Sequence, residues 1–421
     1  MNRAWRGSVR DGLSYGALGL PLAFVALPLY VILPNHYASE FGIPLATLGA
    51  LLLGARLLDA FVDPWIGRWA DAWFAHSAQR VLLVTALSAL VLVAGFRGLF
   101  FPAVSGANAL LWWCAVLLAV TYLSYSVISV VHQAWGARLG GDERQRARIV
   151  SWREGLALLG VLVASVLPSV AGLGVASIVF GLTLLVAIGA LALAPRPALG
   201  GAADAPVAVL APLRDGAFRR LLAIYLVNGV ASAVPATLVL FFIRDRLVAP
   251  AWEPAFLAAY FAAGALSMPL WVRAVGRFGL ARCWLAGMVL AVITFAWAAL
   301  LGQGDVIAFL GVCLASGVAL GADLSLPGAL LAGVIQRSGH AGRLEGGYFG
   351  WWNFATKLNL ALAAGVALPL LQAFGYAPGG RGAAALQALT LAYCVLPCLL
   401  KLLAVGLLYR FWIQAPEGNT S

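Results

Sequence analysis

Apolar runs of about 20 residues recur along the whole chain, and no other feature narrows the choice of fold as much. A run of that length spans ~30 Å as a helix, the thickness of a bilayer's hydrocarbon core. Backbone N–H and C=O groups find no water there. A crossing segment must therefore satisfy them internally, which leaves helices and closed barrels. The runs do not alternate apolar with polar, and this selects helix. Composition agrees, with 63% hydrophobic and 10% charged residues in 421. A soluble domain lies nearer roughly half and a quarter, and folding could not hide so much apolar surface from water.

Twelve spans are expected, near 13–33, 43–67, 81–100, 108–133, 149–171, 174–195, 219–243, 253–272, 281–301, 305–335, 346–372 and 383–411. Arg3, Arg6 and Arg10 before Leu13 imitate a secretory signal, but the run is too long and lacks a small-residue cleavage site. It reads as the first span. The stretch 196–218, rich in Pro, Gly and Ala (Pro197, Gly201, Pro206, Pro212), reads as a linker. It divides the chain into six-helix halves, 1–195 and 219–421, as in transporters whose halves rock about a central site.

The formal charge of +11 points superficially to nucleic acid, but the arginines fall in short loops between apolar runs. With the N-terminus inside, most of them, including Arg68, Arg138, Arg146, Arg219, Arg277 and Arg337, lie on the inner side, against Arg97, Arg244, Arg246 and Arg381 outside. That asymmetry follows the positive-inside rule and places both termini in the cytoplasm of a multi-pass plasma (inner) membrane protein. The expected partners are lipid and a small solute, with no nucleic acid, and the protein is expected as a monomer. The five cysteines lie in apolar runs without ligand spacing, so no metal centre or cofactor is expected beyond a coupling ion.

Ionisable groups deep in a span are costly and mark function by default. Asp59 and Asp63 are four residues apart in span 2 and so share a helical face. Two carboxylates this close repel, and either a proton or a hard monovalent cation relieves them. They are candidate ligands for Na⁺ or H⁺. Lys357 in span 11 is their expected counter-charge and coupling residue. Asp323 in span 10, Arg153 at the start of span 5, Asn228 in span 7, and Gln133 and Tyr125 in span 4 are candidate substrate contacts. Lys401 is expected to snorkel from the inner end of span 12. Neither a nucleophile–base–orienter set nor a phosphate loop presents itself, so an enzyme or an ATP-driven pump is not expected.

The segment from Arg56 through Asp59, Asp63, Pro64 and Gly67 to Asp71 resembles span 2 and its loop in the glycoside–pentoside–hexuronide:cation symporters of the major facilitator superfamily. Tyr15-Gly16, Gly136 to Leu139, Arg146 to Arg148, Trp152-Arg153-Glu154 and Glu345-Gly346 through Lys357 fit in the same order. The resemblance implies a twelve-helix major facilitator fold. It also implies a coupling ion at Asp59 and Asp63, a lysine beside them at Lys357, and a sugar-side arginine at Arg153. Gly67, Arg68 and Asp71 correspond to a gate contact between conformations. The departures concern the sugar site. Ser129 stands where melibiose-type members carry an acid, Leu22 and Ala23 replace a span 1 acid, and Ala332 and Gly333 replace an acidic pair. A distant branch of the same family carries lysolipids, so an amphiphile, taken up or exported, is the alternative substrate.

Overall fold

The computed structural model describes residues 4–200, 208–376, 379–380 and 382–414. Arg3, Gly201, Pro206 and Arg381 lie outside the described residues. Among the described residues twelve long helices run in chain order: α1 Val9–Phe41, α2 Leu45–His76, α3 Ala78–Phe100, α4 Ala107–Ala137, α5 and α6 within Glu143–Ala192, α7 Gly216–Phe241, α8 Glu253–Phe278, α9 Leu280–Ala298, α10 Val306–Arg337, α11 Glu345–Ala373 and α12 Ala383–Ile413. α5 and α6 form one helical stretch broken only at Gly172, whose φ of 82° is a left-handed value that a side chain would strain. That break falls where the sequence ended one span at 171 and began the next at 174. Among the described residues, nine helical stretches are long and apolar enough to cross a membrane. One of them holds both α5 and α6, and α2 and α11 complete the twelve.

Large apolar side chains point outward on these helices. Val170, Leu185, Leu266, Ile293 and Ile307 are all mostly exposed. In water such a surface would aggregate, whereas against acyl chains it costs nothing. Proline inside helices is common, at Pro64, Pro168, Pro235, Pro269 and Pro327. At Pro28 the first helix relaxes into a π turn over Pro28–Ile32, a local adjustment to the missing N–H.

Contacts divide the chain into two compact units, 1–212 with 335–354, and 213–334 with 355–421. In the first unit α1 packs backbone-close on α5. A Cβ on Gly19 would lie 2.3 Å from the Arg153 carbonyl oxygen, and one on Gly160 2.1 Å from that of Leu20. Small residues permit this approach, and dispersion across the seam replaces the hydrophobic drive that lipid removes. Tyr15 donates to the His132 carbonyl at 3.1 Å, and His132 Nε2 lies 2.8 Å from the Tyr15 carbonyl, which ties α1 to α4. The second unit has an aromatic core in which Phe242 stacks on Tyr393 with centroids 4.3 Å apart. Beyond the end of α11, Tyr376 donates to Asp245. Burial, and then that carboxylate, raise the phenol's pKa above its ordinary value.

Candidate functional site

Asp59 and Asp63 lie on the buried face of α2, 4% and 0% exposed. Ser126 on α4 donates to Asp59 Oδ1 at 2.6 Å. From α4 it is thus Ser126 that meets Asp59. Ser126 and Ser129 are three residues apart, nearly one turn, and only packing decides which faces α2. Arg56 sits 4.1 Å over the Tyr30 ring. Tyr125, Ser129 and Gln133 follow at intervals of four along α4, all half-buried and on one face. The Gln133 side-chain oxygen is buried with no hydrogen-bond partner among the described residues. Such an orphan costs stability until something donates to it. Arg153 forms an ion pair with its neighbour Glu154 at 2.6 Å.

A second cluster in the same unit joins α2 to the start of α11. Asp71 accepts the backbone N–H of Gly346 at 2.7 Å on one oxygen and that of Gly347 at 2.8 Å on the other. Its first oxygen also takes Arg138 at 2.9 Å. Arg138 in turn pairs with Glu345 at 3.0 Å, donates to the Gly342 carbonyl at 2.6 Å and covers the Phe74 ring at 4.4 Å. An acid at a helix N-terminus satisfies orphan amides and meets the positive end of the dipole. The chains can come this close because a Cβ on Gly67 would lie 2.2 Å from the Gly346 carbonyl oxygen. Gly67 and Asp71 therefore meet at this junction, whereas Arg68 is exposed and no described contact holds it. Arg138, read from the sequence as a loop residue of a family pattern, and Glu345, read as opening the stretch that resembles the family's span 11, complete the cluster.

In the second unit Lys357 lies half-buried on α11, beside Thr356, whose hydroxyl meets Tyr225 at 2.8 Å. Asp323 and Asn228 come together around a third residue. Lys401 contacts Asp323 Oδ2 at 2.5 Å and Asn228 Oδ1 at 2.8 Å, and is 4% exposed. Asn228 at 3.1 Å and Trp284 at 2.9 Å donate to Asp323 Oδ1, and Ser232 lies 3.2 Å from Oδ2. Lys401 thus does not snorkel. α12 continues to Ile413, twelve residues (413 − 401) beyond Lys401, and ~18 Å of helix is more than the side chain can reach past. Trp284 carried no signal in the sequence, since an indole in an apolar run looks like ordinary packing.

The profile of the family described as MFS/sugar transport protein matches residues 14–415. Two curated proteins of Escherichia coli strain K12 are similar over shorter stretches. The putative glycoside/cation symporter YagG is 28% identical over 172 residues, which cover 40% of this chain and 36% of YagG. The inner membrane symporter YicJ is 29% identical over 165 residues, covering 38% and 35%. The chain thus matches about a third of the length of these relatives. Among solved structures, a bacterial homologue of the iron transporter ferroportin in its outward-facing state superposes with a TM-score of 0.71 at 16% identity, covering 97% of this chain and 100% of that one. A single-site variant of the Escherichia coli fucose:proton symporter FucP gives 0.68 at 13%, covering 95% and 99%. At such identities these likenesses speak to the fold alone.

Proposed function

Because this chain belongs to the MFS/sugar transport protein family, we propose that it is a secondary active symporter, drawing a small glycoside-like solute through the membrane with Na⁺ or H⁺ by alternating access. The observation that carries this reading is the pair of buried carboxylates one helical turn apart on α2, with a serine hydroxyl on one of them. Oxygen ligands of this kind suit a hard cation, and a proton suits them equally. Two partial relatives, YagG and YicJ, are named as symporters, the first putatively of a glycoside with a cation. Arg153, Tyr125 and Gln133 are assigned to the polar side of the solute. Asp323 and Asn228, substrate candidates by sequence, are assigned to placing Lys401. The arginine asymmetry supports an inner-membrane orientation with both termini in the cytoplasm.

The test is uptake of a labelled glycoside panel into proteoliposomes under an inward Na⁺ gradient and, separately, an inward proton gradient. Accumulation above the bath concentration is expected with one of the two, and an ionophore for that ion should collapse it. Uptake indifferent to both gradients removes symport, and gradient-driven efflux would replace it with export. Lys357 is proposed as the coupling residue that responds to charge on the α2 acids. Lys357→Ala removes a positive charge that competes with the cation, so it should lower the half-saturating cation concentration by about tenfold, an effect of ~1.4 kcal/mol, while weakening the coupling of uptake to the gradient. An ion dependence identical to wild type would take Lys357 out of the mechanism.

A further inference from the structure

The Lys401 cluster forms the polar end of a cavity of about 140 Å³ inside the second unit. Its walls are the aromatic side chains of Phe256, Tyr260, Phe261, Phe295 and Tyr393, from α8, α9 and α12. Asp323, Ser232, Ser316 and Lys401 supply its polar lining, besides the two tyrosines of the walls. The hydrogen bonds there are unevenly spent. A carboxylate has about four acceptor sites, and those of Asp323 face Asn228, Trp284, Ser232 and Lys401. An ammonium has three N–H donors, and Lys401 directs two of them, to Asp323 and Asn228. The remaining N–H has no partner among the described residues. Of the two charged groups, the one left to meet a ligand is thus a donor, carried by the residue that the sequence placed at the membrane surface.

We propose that this cavity binds a small uncharged ring compound, anchored by one acceptor oxygen on the third N–H of Lys401. Three features point to that class. The volume is close to that of a ~150 Å³ apolar cavity that takes benzene. Five aromatic side chains offer ring faces and edges. The existing charges already cancel, so an anion or a cation would enter a low-dielectric site without a balancing partner. Neither acid of α2 takes part, so this site and the symport reading stand or fall separately.

The probes are 4-fluorophenol and fluorobenzene, which differ by one hydroxyl, observed by fluorine NMR on the purified full chain in nanodiscs. Wild type should bind the phenol saturably and at least about tenfold more tightly than fluorobenzene. Lys401→Met alone would strand the Asp323 charge, so the variant carries Lys401→Met together with Asp323→Asn. It should retain fluorobenzene affinity and lose the preference for phenol. Ala291→Phe, which fills the cavity from α9, should abolish binding of both. The proposal is overturned by any of these results: no saturable binding to wild type, equal affinity for the two probes, a phenol preference that survives in the double variant, or binding of both probes that survives Ala291→Phe.

Discussion

Asp63→Asn is expected to abolish cation-driven accumulation while the protein still inserts, purifies as a single species and binds solute. The side chain is fully buried, so the substitution removes a whole charge from a poorly screened place. At an effective dielectric of ~20, a unit charge pair 4 Å apart is worth about 4 kcal/mol, or roughly a thousandfold in cation affinity. Asp59→Asn should have the same direction and a smaller size, because Ser126 can still hydrogen-bond the amide. Counterflow of solute in the absence of a gradient separates lost coupling from lost binding. It should persist in Asp63→Asn. Concentrative uptake at wild-type levels in both variants would refute the assignment of the coupling ion to α2.

Asp71→Ala should disable transport by another route, through the junction of α2 with the start of α11. The substitution deletes the acceptor of two backbone amides and one guanidinium. Charge-assisted hydrogen bonds are worth ~1.5–3 kcal/mol each, so the joined arrangement should lose several kcal/mol and a hundredfold or more in population. Gly346→Val attacks the same junction sterically, since its Cβ would lie 2.3 Å from the Gly67 carbonyl oxygen. Spin labels at Arg68→Cys and Arg343→Cys, in a background cleared of native cysteines, report the separation directly. Both variants should lengthen and broaden that distance and reduce uptake more than tenfold. Solute affinity should change little. An unaltered distance distribution with normal uptake would show that the cluster is only packing.

The twelve crossings were legible because lipid demands long apolar helices, and that demand is written locally. Even the sharp break at Gly172 was visible within two residues. Spacing also placed Asp59 and Asp63 on one helical face, since that follows from 3.6 residues per turn alone. Partners on other helices were not legible. Ser126 and Ser129 are equivalent in one dimension. Arg138 and Asp71 are 67 residues apart, and nothing local says that they meet. Lys401 was misread for a definite reason. Its span was already expected to run ten residues further, to 411, and what one dimension hides is the neutralising acid, which lies on α10.

The order of the residues around Asp323 bears on how the protein is made. Asn228, Ser232 and Trp284 all precede Asp323 in the chain, whereas Lys401 follows 78 residues later. At ~5–20 residues per second the ribosome takes roughly 4–16 s to supply that lysine. During this interval the acid has three neutral donors already translated to receive it, and not yet the lysine of its own cluster. The nascent chain therefore shelters a lone carboxylate on amide, hydroxyl and indole groups until the last helix arrives. A transcript truncated before codon 401 would leave the newborn protein permanently in that unfinished state, open to membrane quality control.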